Sequence, residues 1–178
     1  MVDVFELVGE KGDRRLEWRQ AGKILPDGYD AQDFWADEVR LSPAANGSYP
    51  EYLIASTRAL KPETEGYVSI YKLDSSGLID SPNASNADFT GCEPLDTFQT
   101  PTSGGLANAG GPAPLLPRSK EGNEEECHFA LTDSETGLLL VLRIAGKGDE
   151  AKIREIAKLQ FEKVDGEKVR QLATAVWL

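Results

Sequence analysis

Histidine is almost missing from this chain. His128 is the only one in 178 residues, beside two cysteines and one methionine. Cys92 and Cys127 stand in no CxxC pair and have no histidine at ligand spacing, so neither a zinc centre nor a disulfide framework is indicated, and both are read as structural or incidental thiols. No apolar run reaches the roughly 18 residues of a membrane-spanning helix. The first residues lack a basic-then-apolar signal pattern. The expectation is a cytoplasmic protein with no membrane partner. Clustered basic residues are missing as well: 19 Lys and Arg face 30 Asp and Glu, for a net charge of -11. A nucleic-acid partner would be repelled without a segregated basic patch, so the acidity is read as solubility.

What is present is a composition of globular type, 40% hydrophobic and 28% charged, long enough for one domain over residues 1–178. Three short runs, 37–41, 52–56 and 67–73, are rich in Val, Ile, Leu and Tyr and are separated by Pro, Gly, Asn and Ser, which predicts strands. The third alternates, with Val68, Ile70 and Lys72 on one face and Tyr67, Ser69, Tyr71 and Leu73 on the other. DSSG (74–77) predicts a tight turn before Leu78 and Ile79 resume as a fourth strand. A single antiparallel meander cannot cover both of its faces, so it must stack on others, as a β-propeller blade does.

Parts of the pattern recur. VDVFEL (2–7), GEKG (9–12) and LEW (16–18) have the same order as YVSIYKL (67–73), DSSG and LI (78–79). LLLVLRI (138–144), GKG (146–148) and IAKL (156–159) form a third copy. The period is roughly 65 to 70 residues, longer than ordinary propeller repeats, and insertions at 80–88 and 110–126 as outer loops account for the excess. Strands are also predicted over 16–24, 127–131 and 138–144, and 29–35 is read as a connector. Residues 152–160 have good helix formers, but a strand over 154–161 fits the repeat better. Inner strands are predicted at 37–41, 106–110 and 173–177, the second from its small residues. The fold class is therefore all-β, with about ten strands in two four-stranded blades and flanking half-blades. The first strand has no inner partner, so the chain is expected to begin inside a blade and to self-associate through open strand edges.

Six blocks together resemble the seven-bladed propeller lactonase family: WADEVRLSP (35–43), ASTR (55–58), GYVSIYKL (66–73), TPTSGG (100–105), ALTD (130–133) and AVW (175–177). Within it the likeness is to the fungal carboxy-cis,cis-muconate cyclases, the carboxymuconate lactonizing enzymes. The resemblance implies the C-terminal portion of a closed propeller, an active site at the central channel, and no metal or organic cofactor. It implies closure of 3-carboxy-cis,cis-muconate to a lactone, with a small-molecule polycarboxylate or lactone as ligand. A carboxylate oxygen adds to a double bond and a proton goes to the adjacent carbon, which needs cationic donors and a general acid.

The family's catalytic set is a His, a Glu and two Arg, and only one Arg falls on this chain, Arg58 in ASTR. It ends an apolar strand, so its guanidinium can reach a mouth, where its planar fork suits a carboxylate. Arg40 and Glu38 lie on an inner strand, facing the channel if Val39 and Leu41 face the neighbouring blade, and an ion pair is the simpler reading. Thr102, Ser103 and Asn108 are neutral groups able to bind a carboxylate, against a turn-forming role for TPTSGG. His128, in EEECHF (124–129), sits where the family motif offers no His of known role. Conversely, the family often has His where this chain has Leu106. A sugar-lactone hydrolase of the 6-phosphogluconolactonase type and a non-catalytic propeller fragment are the alternatives.

Overall fold

Strands form where the apolar residues alternate or run together. The computed structural model describes residues 1–44, 48–61, 63–81, 91–103, 108–112, 127–133 and 136–161, with 108–112 described by backbone alone. The described strands are β1 (Val2–Val8), β2 (Arg15–Gly22), β3 (Phe34–Leu41), β4 (Tyr52–Ala59), β5 (Tyr67–Lys72), β6 (Asp96–Gln99), β7 (Asn108–Pro112), β8 (Cys127–Asp133), β9 (Leu138–Ala145) and β10 (Lys152–Gln160). Helix among the described residues is confined to two single 3-10 turns, Ala31–Asp33 and Gly148–Glu150. The strands form a β1-β2 hairpin and two four-stranded sheets, β3-β4-β5-β6 and β7-β8-β9-β10, and every strand pairing within them is antiparallel.

The middle sheet is covered on both faces, which is why burial runs nearly unbroken through β4 and β5. On one face Tyr52, Ile54, Val68 and Ile70 pack with Phe129, Leu131, Leu140, Leu142 and Ile153 of the second sheet. On the other, Leu53, Ala55 and Tyr71 pack with Val2, Ile24, Ile79 and Cys92. β9 shows the alternation outright, with Leu138, Leu140, Leu142 and Ile144 buried and the residues between them partly exposed. Each buried side chain of this size contributes about 1.5 to 3 kcal/mol. In the stack β3 runs beside β7, and β6 beside β10.

Close fitting fastens the hairpin. A Cβ on Gly22 would lie 2.8 Å from Tyr71 Cε1, and the Tyr71 hydroxyl donates to the Lys23 carbonyl. Gln20 donates to the Ile79 carbonyl at 3.1 Å and accepts from the Ile79 amide at 2.7 Å.

Several expectations are corrected. The fourth strand of the middle sheet is β6, not residues 78–79. The DSSG turn forms, with Asp74 Oδ1 accepting from Ser76 and Leu78 amides at 2.8 and 3.0 Å. It leads only to an isolated Leu73–Ile79 bridge, because Ile79 is drawn into the hairpin interface. The inner strand expected at 106–110 is described over 108–112, so Gly110, Gly111 and Pro112 belong to β7 and not to a loop. The strand expected at 154–161 is present, over Lys152–Gln160, where pairing with β9 overrides local helix propensity. The strand expected at 173–177 lies outside the described residues, as do most of the 80–88 and 110–126 loops.

Candidate anion-binding rim

Register brings Arg58, Asn108 and the segment carrying Thr102 and Ser103 to one end of the sheets. β3 starts and β4 stops there, with Trp35 opposite Arg58. β7 starts and β8 stops at the corresponding end, with Asn108 opposite Asp133. Residues 100–103 cross between the two: the Gly66 amide donates to the Thr102 carbonyl and the Ala59 amide to the Ser103 carbonyl, both at 3.0 Å. Thr100 Oγ1 donates to the Thr102 carbonyl at 2.7 Å and accepts from the Gly66 amide at 2.9 Å. A narrow recess there is lined by Thr100, Pro101, Thr102, Leu131, Asp133, Leu138 and Leu140.

Arg58 shares a face of β4 with Ile54 and Ser56, which look toward the second sheet. It is half-buried, and its guanidinium carbon lies 4.4 Å from the centroid of the Trp35 ring. Trp35 itself is 55% exposed. Cationic carbon over indole is an attractive arrangement because the ring face carries the negative part of its quadrupole.

A bulge in β3 decides where Glu38 and Arg40 point. Ala36 pairs with Thr57, Asp37 is passed over, and Glu38 pairs with Ser56. The extra residue shifts the alternation by one, so Trp35, Glu38 and Arg40 all share the face of Arg58, Ser56 and Ile54. Glu38 and Arg40 form an ion pair and line a narrow cleft with Ile54, Ser56, Val68, Phe129 and Leu131. They therefore look toward the neighbouring sheet, while Val39 and Leu41 are 46% and 50% exposed, the reverse of the facing considered from the sequence. Same-face residues on a strand advance about 6.7 Å per step, so the Arg40 row stands roughly 13 Å from that of Arg58 along the strand. The two arginines do not form one cluster.

The remaining candidates divide. Thr102 is half-buried and Ser103 is buried, and their carbonyls hold the crossing segment to β4 and β5. Asn108 opens β7 opposite Asp133. His128 lies one residue out of phase with the inward Cys127 and Phe129, so it faces away from the cleft, opposite Arg143. Trp35 was not singled out from the sequence, where the only available signal was an aromatic at the end of a strand facing an arginine-terminated partner.

Both cysteines are free and buried. Burial first, and the charge of Glu51 second, push the Cys127 thiol up to about 12, and burial raises that of Cys92. Among the described residues no three or more His, Cys, Asp or Glu side chains converge as metal ligands, and no helix is long and apolar enough to cross a membrane.

No family model matches the sequence. Over 178 residues, 99% of its length, the chain is 35% identical to muconate cycloisomerase 1 of Cutaneotrichosporon cutaneum, and it spans 40% of that protein's length.

Proposed function

We propose that the chain supplies part of the substrate site of a lactone-forming muconate isomerase, with its four-stranded sheets acting as blades of a seven-bladed propeller and 3-carboxy-cis,cis-muconate as the substrate. Similarity to a muconate cycloisomerase supports the general chemistry. The observation that carries the site is Arg58, held over Trp35 at the end where the β3 and β7 edges run side by side. Consecutive antiparallel meanders, stacked with first strand beside first strand and last beside last, favour the blade reading.

In this reading Arg58 binds a substrate carboxylate and stabilises the charge that builds as a carboxylate oxygen closes on the double bond. Thr102 and Ser103 lie in the segment that crosses the same rim, and Asn108 opens β7 beside it. The Glu38–Arg40 pair gives the cleft a polar wall. The carbon that gains the proton needs a general acid, and His128 faces away from the rim.

Groups acting as a unit are strongly non-additive, so the 178-residue chain by itself is expected to turn over carboxymuconate at or near background while still binding a polycarboxylate weakly. A charge-assisted hydrogen-bonding Arg is worth about 1.5 to 3 kcal/mol, so Arg58→Ala should weaken that binding by about tenfold to a hundredfold. The test follows loss of substrate absorbance with 3-carboxy-cis,cis-muconate and with cis,cis-muconate, beside a binding titration. Binding that is indifferent to Arg58→Ala refutes the site. Turnover of a sugar lactone in place of the muconates refutes the reaction, and absence of both binding and turnover favours a non-catalytic propeller fragment.

A further inference from the structure

We propose that the outer face of the β1-β2 hairpin is a two-fold interface with a second copy of this chain. Four large apolar side chains form that face. Phe5 stands opposite Trp18 and Leu7 opposite Leu16, so a cross-strand spacing of about 4.5 to 5.5 Å makes them one contiguous patch. All four are exposed. The inner face holds Val2 and Val4 against Leu53, Ala55 and Tyr71 of the middle sheet.

Charge runs the wrong way for a hairpin whose outer face meets water. Alternation along β1 puts Glu6 and Val8 on the side of Val2 and Val4, and register puts Glu17 and Arg15 there with them. These charges are engaged with one another. Arg19, the residue passed over at the bulge in β2, donates to Glu6 and Glu17 at 2.7 and 3.0 Å, and Arg15 donates to Glu17 at 2.9 Å. Among the paired residues the outer face carries one charge, Asp3, whose carboxylate accepts the Trp18 indole N–H at 3.0 Å. An antiparallel pair with one face in solvent has the opposite order, polar outward. Apolar rows outward with paired charges behind them are the pattern of a face that is covered.

Charge and area select the occupant. With a net charge of -11, two copies repel across most of their surfaces, and they approach with least repulsion through a patch whose single carboxylate is already hydrogen-bonded. A two-fold axis through the patch sets the same apolar rows against each other, so the surface is self-complementary. Sheet face on sheet face is also how the inner side of the hairpin already meets the middle sheet. The four side chains offer on the order of 400 Å2 per copy, and the backbone and Asp3 between them bring a pair close to the roughly 1,000 Å2 of a weak specific interface. The dimer is therefore weak, and because its symmetry is closed it stops at two copies.

Sedimentation equilibrium from about 10 to 500 μM tests the interface on the wild-type chain, Phe5→Glu, Leu7→Gln and Lys158→Gln. Lys158→Gln changes the net charge by as much as Phe5→Glu does but lies on β10, while Leu7→Gln changes no charge. Wild type and Lys158→Gln should fit a monomer–dimer equilibrium that tightens with added salt, because screening weakens the repulsion between acidic copies. Phe5→Glu and Leu7→Gln should each weaken it by about tenfold or more at unchanged Tm, since both side chains point away from the core. A wild-type chain that stays monomeric over this range overturns the proposal, and its co-sedimentation with phosphatidylcholine vesicles would assign the face to a lipid surface instead. Growth beyond two copies overturns the closed packing in favour of pairing through strand edges. A dimer indifferent to both Phe5→Glu and Leu7→Gln lies elsewhere on the chain and overturns the proposal as well.

Discussion

Tyr71→Phe removes one oxygen from the best-buried aromatic among the described residues and leaves its ring in place. Tyr71 has no exposed surface, and its hydroxyl donates to the Lys23 carbonyl just past the end of β2. Burial raises its pKa, so it remains a protonated donor through the neutral and mildly alkaline range. The substitution loses that hydrogen bond and leaves the Lys23 carbonyl without this donor in a desolvated setting, for a cost of about 1 to 2 kcal/mol. In a chain of this size that is a fall in Tm of about 2 to 8 °C. Thermal denaturation and urea unfolding should agree, with the urea slope unchanged because the exposed area is the same. Gly22→Ala provides the cross-check, since its Cβ would meet Tyr71 Cε1 at 2.8 Å. Its cost should be largely relieved in a Tyr71→Leu background, where the ring is gone, and the two changes should be non-additive. A Tyr71→Phe chain within about 0.3 kcal/mol of wild type, together with simple additivity for the Gly22 pair, would refute the claim that this contact fastens the hairpin to the middle sheet.

The remaining tests concern thiols, acid and assembly. Because burial pushes the Cys127 thiol up to about 12 and raises that of Cys92, iodoacetamide at pH 8 should label neither in the folded chain and both in urea, as read by mass spectrometry; rapid native labelling would contradict the burial. The Asp74 carboxyl is held below its usual range, first by the Ser76 hydroxyl and then by backbone amides. Its contribution is therefore present above about pH 4 and lost as pH falls through the lower folded value. Asp74→Ala should lower stability at pH 7 and flatten the acid limb of the Tm–pH curve, and an unchanged limb would count against it. Phe5, Leu7 and Leu16 lie 50%, 56% and 66% exposed on the hairpin, so light scattering should show mass rising with concentration, and Leu16→Lys should reduce it; a concentration-independent monomer would remove the proposal of self-association.

Alternation of apolar residues was enough to reveal most strands, because β9 must satisfy a core on one fixed face and β5 a different core on each of its two. The choice of strand over helix for residues 152–160 also came from repetition, since Lys, Arg, Glu and Ala locally favour helix. What the sequence hid were partners. Leu78 and Ile79 read as a strand because they follow a well-formed turn, yet Asp96–Gln99, seventeen residues beyond Ile79, pairs with β5 instead. Nothing local distinguishes the two. The bulge at Asp37 is equally silent in composition, and it alone decides that Glu38 and Arg40 face the neighbouring sheet. Arg58 was legible as a strand-end arginine, whereas its stacking on Trp35, twenty-three residues away in the chain, depends on the register in which β3 pairs with β4.

The separation of charges along β3 and β4 bears on what this rim can do. A substrate with two or three carboxylates needs more than one cation within the span of a small molecule. Arg40 stands about two rows, roughly 13 Å, from Arg58 along the strand and is paired with Glu38. Lys61, three residues beyond Arg58, is engaged with Asp33 at 2.6 Å. Recruiting either would break an existing ion pair, so its charge comes at a cost that offsets part of the gain. In the proposed reading Arg58 anchors one carboxylate, and neither Arg40 nor Lys61 adds a second without giving up its own ion pair. One anchored carboxylate gives weak binding and leaves the reacting carbon unoriented, and orientation is the larger share of the rate in an intramolecular ring closure. On the proposed reading the rim is thus suited to capture more than to turnover, which is the physical reason for expecting the isolated chain to bind a polycarboxylate and leave it unchanged.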